Sequence, residues 1–521
     1  MKKLYGLPTL ATLLVAFFIF SISRYSKYDG PNAFIWRVPL DLKIYWLAGG
    51  EVAEGANLYD NAYIGNLPFT YPPFAGTLFK WISSLADDPL IILWQGGTIL
   101  ALLAVILMVF HERGLKLSPL TWVVAILLVL CAPAVEPMYG TLFYGQINVF
   151  LMFLVALDLI PKKWALPGVG IGLAAGLKLT PAFMGLVLLF QRRWWQAVIS
   201  VLTFAVTVAI GFVTIPDAEV FWTDAIFNSS RVGEHTNPGA QSIRSLMVRA
   251  WGIDGGWMWL AAVAVVFVLT CLALRTAMKH KNNSAAMSLA GISACLVSPF
   301  SWYHHWVWVF PLAIVVLISV NQALGKRLRG VIGAQVAALI SFAAMCVVLL
   351  PYVSAAFWLE GANRSLNHWD FQPWAMLFFT GSGILYIAFY ALWGFIPGTQ
   401  PSEDEPHAGQ HAAQPAAQPQ HHAQPQHAQA QHAQPQHAQP QHSQAQRTRA
   451  AGAPASGVSA TGTAASGTGA SGTAAQGSAT ADETAEFPVF NPETREFPST
   501  EGYTDIPAPP SYGGRHVRDD D

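Results

Sequence analysis

Residues 162–193 read KKWALPGVGIGLAAGLKLTPAFMGLVLLFQRR, an apolar segment with two basic residues at each end. If this segment crossed a membrane once, one basic pair would lie outside, against the preference of Lys and Arg for cytoplasmic loops. Two short helices with a bend at residues 178–181 keep both pairs inside. Thr180-Pro181 provides such a bend, because the residue before a proline avoids the helical conformation. The segment therefore predicts a helical hairpin that carries Lys178 to the outer side, at membrane depth.

The same pattern occurs a second time, later in the chain. A basic loop at residues 279–283 precedes an apolar run, an outward corner at residues 299–305, and a second apolar run that ends at the basic residues 326–329. The remaining apolar segments are interpreted as single crossings at residues 7–22, 89–110, 119–137, 147–160, 194–215, 257–276, 331–352 and 372–395. The sequence therefore predicts an all-α polytopic membrane protein with about twelve transmembrane helices and both termini in the cytoplasm.

Composition divides the 521 residues into two parts. Residues 1–397 are dominated by long apolar runs and form the predicted membrane domain. Residues 398–521 begin with repeats of Gln-His-Ala-Gln-Pro and continue with a stretch rich in Gly, Ser, Ala and Thr. Such a composition cannot bury a hydrophobic core, so we expect a disordered low-complexity tail on the cytoplasmic side.

Charge and cysteine content exclude some classes of function. The net charge of −1 says nothing about nucleic acid, but the sequence has no basic patch suited to reading bases, so we predict no nucleic-acid partner. The four cysteines lie in apolar runs without the spacing of metal ligands. No cofactor or metal site is predicted, and metal dependence stays open. The N-terminal apolar segment lacks a convincing cleavage site and is interpreted as a retained first helix.

Residues 39–46, PLDLKIYW, follow that helix in the first predicted outer segment, which extends to residue 88. Asp41 stands there between apolar neighbours. Partial loss of water near the lipid headgroups raises the pKa of a carboxyl group and makes the carboxylate a better general base. The alternative is an ordinary solvated loop aspartate. Farther along, residues 74–85 are too short to span and predict an interfacial or re-entrant helix that covers the site.

Polar residues near the membrane surface each allow two interpretations. Lys178 is a functional group at membrane depth, or a lysine whose ammonium group reaches the headgroups. Gln146 and Asn148 lie in the predicted outer connection at residues 139–148. Their amides contact sugar hydroxyls, or they cap a helix.

The second large outer loop, residues 216–256, and the corner at residues 299–305 also carry candidates. Residues 241–251 have apolar side chains at helical spacing and include Arg244. This segment contacts the substrate, or it is an interfacial helix whose arginines lie among lipid phosphates. The pair His304-His305 belongs to the site, or to an aromatic belt at the membrane surface.

A carboxylate, several cations and many aromatic side chains on one side of the membrane suit attack by a sugar hydroxyl on an activated sugar phosphate. Asp41 accepts the proton as general base, and cations stabilise the departing phosphate. A second carboxylic acid, as used in glycoside hydrolysis, is not needed because the phosphate leaves readily. We assign the donor phosphate to Lys178, Arg244, His304 and His305, and the sugars and acceptor to Tyr45, Asp60, Tyr71, Gln146, Asn148, Gln241 and Trp302.

An ordered set of motifs resembles a known family. The motifs are Asp41-x-x-x-Tyr45, Leu58-Tyr59-Asp60, Phe69-Thr70-Tyr71-Pro72-Pro73, Tyr144-Gly145-Gln146-Ile147-Asn148, Lys178-Leu179-Thr180-Pro181 and Ser298-Pro299-x-Ser301-Trp302-x-His304-His305-Trp306. Across residues 7–395 the chain resembles the actinobacterial polyprenol-phosphate-mannose-dependent α-1,2-mannosyltransferases, multi-pass enzymes of the GT-C fold class. The resemblance implies that Asp41 is the catalytic aspartate and that His304-His305 lie in a histidine-bearing site segment. Residues 239–242 read Gly-Ala-Gln-Ser where the family has Gly-Asn-Gln-Ser, so that asparagine has no counterpart here.

The resemblance also implies the reaction. It predicts a polyprenyl-phosphate mannose donor, an active site on the outer face of the plasma membrane, and inversion from a β-linked donor to an α-linked product. The implied acceptors are mannan glycolipids, namely lipomannan, lipoarabinomannan or phosphatidylinositol mannosides. Three alternatives remain open: an arabinofuranosyltransferase that uses polyprenyl-phosphate arabinose, a lipid-carrier transporter or flippase, and a non-catalytic scaffold that recruits partners through its tail.

Overall fold

The computed structural model describes residues 3–28, 38–161, 167–237, 239–364 and 372–396. The helices in these ranges are α1 (Leu7–Tyr28), α2 (Leu40–Glu54), α3 (Pro73–Phe79), α4 (Asp87–Glu112), α5 (Pro119–Cys131), α6 (Glu136–Tyr144), α7 (Asn148–Leu159), α8 (Val169–Leu177), α9 (Gly185–Phe190), α10 (Trp194–Thr214), α11 (Ala218–Val220), α12 (Ile243–Trp251), α13 (Gly256–Lys279), α14 (Asn283–Val297), α15 (Val309–Arg327), α16 (Gly330–Arg364) and α17 (Gln372–Trp393). A short antiparallel pair, β1 (Ala62–Ile64) and β2 (Leu67–Pro68), completes the described secondary structure. The predicted all-α class is confirmed.

Several of these helices are long and apolar enough to cross a membrane. Within the described ranges they are α4, α10, α13, α15 and the Gly330–Val353 part of α16. A sixth span results if α5 and α6 are counted together across the 81° bend between them. The chain is thus a polytopic membrane protein. The predicted total of about twelve crossings stays a prediction, because the other apolar helices have only 10–17 residues. The predicted disordered tail lies outside the described residues.

The helical hairpin predicted around Lys178 is present as α8 and α9. At one end of α7, the Lys178 ammonium nitrogen Nζ lies 3.1 Å from Oδ1 of Asn148. At the other end, Nε2 of Gln191 donates to the carbonyl oxygen of Leu159 at 3.3 Å. The chain therefore runs along α7 in one direction and returns. Lys162 and Lys163, the first basic pair, lie outside the described residues.

The bend differs in one detail from the prediction. The residue with an extended backbone is Lys178, at φ −155° and ψ 129°, and a 3-10 turn follows at Thr180–Met184. Pro181 sits in the first turn of that 3-10 helix, where its missing N–H removes no hydrogen bond. The helical conformation is therefore interrupted at Lys178, rather than at Thr180, the residue before the proline.

Three segments differ from their predicted structure. Residues 139–148 were expected as a connection, but α6 covers most of them, because α5 ends at Cys131 and a new helix starts with Pro137 in its first turn. Asp41 lies in the first turn of α2 rather than in a loop. The expected helix at residues 74–85 is shorter, since α3 ends at Phe79 and turns follow.

Close backbone contact holds the hairpin against α10. A Cβ atom on Gly172 would lie 2.5 Å from the carbonyl oxygen of Ser200, and one on Gly176 would lie 2.2 Å from Oγ1 of Thr207. Small residues four apart let two membrane helices approach at this distance. The position of Lys178, two residues beyond Gly176, is therefore fixed by helix packing.

The two large segments that were predicted to lie outside and the corner at residues 299–305 are joined by hydrogen bonds. The backbone N–H of Gln241 donates to the carbonyl oxygen of Ser301 at 2.6 Å, and that of Tyr303 donates to Gly239 at 2.8 Å. In addition, the carboxylate of Asp217 accepts hydrogen bonds from the backbone N–H groups of Leu58 and Tyr59, in the first of these two segments. The loop before α12 therefore holds both the segment that carries Asp41 and the corner that carries the histidines.

Candidate active site

The side chain of Asp41 is held by two other predicted site residues. The amide Nε2 of Gln146 donates to Oδ2 of Asp41, and the hydroxyl of Tyr71 donates to Oε1 of the same amide at 2.9 Å. The hydroxyls of Tyr45 and Tyr71 lie 2.7 Å apart. Gln146 reaches this position because Gly145 ends α6 in the left-handed conformation, at φ 68°. The structure thus brings together Asp41, Tyr45, Tyr71 and Gln146.

The environment of Asp41 favours a base that works near neutral pH. Burial raises the pKa of Asp41 to about 6, although the hydrogen bond from Gln146 and the charge of Lys178 act in the opposite direction. Above that pH the carboxylate is ionised and can accept a proton. A pKa close to the working pH combines a large ionised fraction with useful basicity.

Lys178 forms a second centre beside the first. Its Nζ lies 3.1 Å from Oδ1 of Asn148, 3.0 Å from Nε2 of His305, and 5.1 Å from the ring centre of Tyr71. Nδ2 of Asn148 donates to the carbonyl oxygen of His304 at 2.8 Å. Both ends of the Asn148 amide are therefore bound by protein groups, which supports a positioning role beside the predicted sugar contact.

The two neighbouring histidines have different surroundings. Both ring nitrogens of His305 face protein groups, because Nδ1 accepts from the backbone N–H of Trp302 at 3.2 Å and Nε2 faces Lys178. The ring of His304 is buried between Tyr144 and Trp302, with ring centres 5.3 and 6.1 Å away. Within the described residues neither nitrogen of His304 has a hydrogen-bond partner. In the part of the chain that is described, His304 is therefore a buried histidine whose ring nitrogens make no hydrogen bond to protein, and its substrate contact stays a prediction.

Four predicted site residues are held by other groups. Nε of Arg244 pairs with Oδ1 of Asp254 at 2.6 Å. Asp60 is exposed and accepts a hydrogen bond from Asn57 at 2.7 Å. Gln241 is buried, with Oε1 accepting from Thr380 at 2.8 Å, and Nε1 of Trp302 donates to Val232 at 3.1 Å. The described contacts therefore place Asp60 and Arg244 outside the cluster of Asp41 and Lys178, and their substrate contacts stay predictions.

Two buried acids were not identified as important from the sequence. Asp217 accepts from the backbone N–H of Leu58 and of Tyr59, at 2.8 and 2.7 Å, and so fixes the motif that contains Asp60. Glu136 is buried in the first turn of α6. Neither acid stands in a recognisable motif, and only the tertiary contacts show that they lie inside. In the part of the chain that is described, no group of three or more His, Cys, Asp or Glu residues could hold a metal ion.

The arrangement has a carboxylate, Asp41, and a cation, Lys178. Tyr71 lies beside Lys178 and is joined to Asp41 through the amide of Gln146. A hydroxyl beside Asp41 can lose its proton, while an anionic group beside Lys178 is stabilised by charge and hydrogen bonds. These are the requirements for transfer of a group from a phosphate to a hydroxyl.

Comparison with known proteins identifies the family of the chain. The model of glycosyltransferase family 87 matches residues 69–299. One relative is a polyprenol-phosphate-mannose-dependent alpha-(1-2)-phosphatidylinositol pentamannoside mannosyltransferase of Mycolicibacterium smegmatis. The chain is 33% identical to it over 301 residues, and this alignment covers 56% of the chain and 72% of the relative. The chain is 31% identical over 366 residues to a polyprenol-phosphate-mannose-dependent alpha-(1-2)-phosphatidylinositol mannoside mannosyltransferase of Mycobacterium tuberculosis, with 63% and 82% covered. No solved structure matches. The resemblance stated from the motifs is confirmed.

Proposed function

The chain belongs to glycosyltransferase family 87, and we propose that it moves mannose from polyprenyl-phosphate mannose to a phosphatidylinositol mannoside or a related mannan glycolipid, forming an α-1,2 linkage. The observation that carries this proposal is the pairing of Asp41 with Gln146 beside the contact of Lys178 with Asn148 and His305. The names of the relatives support the donor and favour phosphatidylinositol mannosides over lipomannan or lipoarabinomannan as acceptor.

In the proposed reaction the acceptor hydroxyl lies beside Asp41 and the donor phosphate beside Lys178. The hydroxyl oxygen bonds to the anomeric carbon of mannose while the bond from that carbon to the phosphate oxygen breaks. Asp41 takes the hydroxyl proton, and polyprenyl phosphate leaves with the bonding electrons. Attack opposite the leaving group inverts the configuration, so a single base is sufficient. Tyr45 and Tyr71 provide aromatic surface for the sugar.

The GT-C-like architecture and the outer-face location belong to the same proposal. The distribution of basic residues supports it, since the short Lys- and Arg-rich loops fall on one predicted side. Single cysteines at positions 178 and 193, in a variant without the four native cysteines, test the orientation with an impermeant thiol reagent. Labelling from outside is expected at position 178 and not at 193. Labelling at 193 alone would reverse the proposed orientation.

Transfer itself is tested with the purified protein in lipid nanodiscs. Labelled polyprenyl-phosphate mannose is offered with phosphatidylinositol mannosides of different mannose number, and the product is digested with an α-1,2-specific mannosidase. We expect labelled product that the mannosidase removes, and none from Asp41→Asn. Asp88→Asn is the matched control, because Asp88 is an exposed carboxylate at the start of α4. Transfer from polyprenyl-phosphate arabinose instead, or lipid translocation without transfer, would refute the proposal.

A further inference from the structure

A continuous chain of hydrogen bonds links Lys178 to the turn that carries the histidines. The backbone N–H of Trp302 donates to Nδ1 of His305 at 3.2 Å, and Nε2 of the same ring lies 3.0 Å from Nζ of Lys178. Nζ also lies 3.1 Å from Oδ1 of Asn148, whose Nδ2 donates back to His304 in the turn. Each contact in this chain constrains where protons can lie.

The positions of the protons on His305 and Lys178 follow from the backbone N–H of Trp302, which can only donate. A backbone N–H always donates, so Nδ1 of His305 must be an unprotonated acceptor. Burial is the main cause that lowers the pKa of His305 well below its usual value, and this cause acts whether or not Lys178 is charged, so the ring is neutral. A neutral ring with a bare Nδ1 carries its proton on Nε2. An ammonium group has no acceptor site, so Nε2–H can donate to Lys178 only if Lys178 is an uncharged amine.

The surroundings of Lys178 are compatible with the uncharged form. Lys178 lies in the break between α8 and the following 3-10 turn, where burial lowers its pKa to about 8. Asp41 and Cys295 act in the opposite direction and favour the cation. In the described part of the chain, the other titratable groups that face it are the ring of Tyr71 and the histidines His304 and His305, whose lowered pKa values keep both rings neutral. An amine in the free site therefore becomes the main form only above about pH 8.

This inference rests on the proposed function. We propose that at alkaline pH donor binding is coupled to the uptake of one proton by Lys178, and that His305 is the positioning residue that holds the uncharged amine in the empty site. The donor phosphate brings one negative charge and only acceptor oxygens. The amine gains a proton from solvent and becomes an ammonium that donates to the phosphate and to Asn148. The proton of His305 moves from Nε2 to Nδ1 by exchange with solvent, and Nε2 then accepts from the ammonium.

The structure provides a partner and a route for this change. Once protonated, Nδ1 of His305 can donate to Oγ of Ser301, 3.4 Å away, while its contact with the N–H of Trp302 is given up. A cavity of about 20 Å³ is lined by Asn148, Thr180 and His305, among others. A water needs roughly 10–15 Å³, so this cavity has room for one water beside the ring that can relay the proton. The ammonium is then in place when the leaving phosphate gains its second charge.

Calorimetry of donor binding without acceptor tests the coupling. Titrations of wild-type protein in nanodiscs, in two buffers with different ionisation enthalpies, give the number of protons taken up. With a pKa of about 8, we expect about 0.9 proton per donor at pH 9 and about 0.1 at pH 7. The dissociation constant should rise about tenfold between these pH values. Donor binding without proton uptake at pH 9 would overturn this inference alone, whereas absence of donor binding at both pH values would count against the proposed function.

Two variants separate a titrating amine from a merely structural lysine. Lys178→Arg keeps a permanent cation, so the donor should bind with no proton uptake and with the same affinity at pH 7 and pH 9. His305→Gln offers an amide oxygen that accepts from an ammonium, so its uptake at pH 9 should fall to less than half of the wild-type value. Wild-type uptake in the arginine variant would overturn the role of Lys178. Should that variant fail to bind, wild-type uptake in His305→Gln would overturn the role of His305.

Discussion

The two ends of α7 bury polar groups in opposite ways. At one end Asp158 is fully buried, and its carboxylate accepts from the backbone N–H groups of Gly168 and Ile171 at 3.1 and 2.7 Å. At the other end Asn148 binds Lys178, a side chain that can gain or lose a proton. Backbone partners have fixed protonation, so the Asp158 end stabilises a turn. Titratable partners can change state, so the Asn148 end can perform chemistry.

The largest effect is expected when the base near the Asn148 end is removed. Asp41→Asn should reduce transfer by about 10²–10⁴-fold, the usual contribution of a positioned base, because the amide keeps the shape but cannot accept the proton. Initial rates are measured at matched protein level in membranes. Wild-type rates in this variant would remove Asp41 from the mechanism.

The cation at the same end should matter next. Lys178→Met is expected to raise the KM for the donor by about 10–100-fold, since a hydrogen bond to a charged group contributes about 1.5–3 kcal/mol. Lys178→Arg should retain part of this affinity because the positive charge remains. Rates at varied donor concentration distinguish the two variants. A methionine variant with an unchanged donor KM would show that the phosphate binds elsewhere.

Acidification should inactivate the site in a graded way. Burial raises the pKa of Asp41 to about 6, so the base is ionised above that pH and protonated below it. We expect kcat/KM to fall about tenfold for each pH unit below 6. Gln146→Ala should move the midpoint upward, because the lost hydrogen bond stabilises the carboxylate. A profile that stays flat down to pH 4.5 would contradict this assignment of the base.

At the Asp158 end the same type of substitution should affect stability instead. Asp158→Asn should destabilise the fold by about 1–3 kcal/mol, because the buried backbone N–H groups lose part of their acceptor. The thermal midpoint in detergent should decrease, while the turnover of the folded fraction should stay within about twofold of wild type. A turnover loss as large as that of Asp41→Asn would contradict a purely structural role for Asp158.

The smallest effect is expected from the tail. Removing residues 400–521 should leave turnover within about twofold of wild type, because the composition predicts a segment without a packed core and the predicted topology puts the tail in the cytoplasm. Labelled-mannose transfer is measured after quantification of the inserted protein. A truncated protein that inserts normally but does not transfer mannose would make the tail part of the enzyme.

Local patterns predicted the hairpin but not its surroundings. Pro181 and the basic residues at both ends of the hairpin indicated a return of the chain, and the structure has that return. The helix α6 was missed because its start depends on the 81° bend after α5, which hydropathy does not indicate. Arg244 was assigned to the donor phosphate because it is positively charged. In the structure its guanidinium group pairs with Asp254, only ten residues away, and the sequence analysis did not anticipate this ion pair.

Gln146 is a second example of a contact that sequence patterns do not predict. The motif marked this residue as polar and near a helix end, which allowed a sugar contact or a cap. Its two partners, Asp41 and Tyr71, lie 105 and 75 residues earlier in the chain. Contacts at such separation depend on how helices pack, and single-sequence patterns contain no information about them. The sequence therefore identified most members of the cluster but not their connections.

These long separations also set the order of biogenesis. The partners Asp41 and Gln146 are 105 residues apart, and Lys178 and His305 are 127 residues apart. During synthesis the base is in place once α6 has been inserted, but Lys178 has no histidine partner until the turn before α15 leaves the ribosome. A nascent chain that ends before residue 305 therefore holds a positioned carboxylate, but its proposed phosphate site is incomplete. Catalytic competence is acquired late in translation.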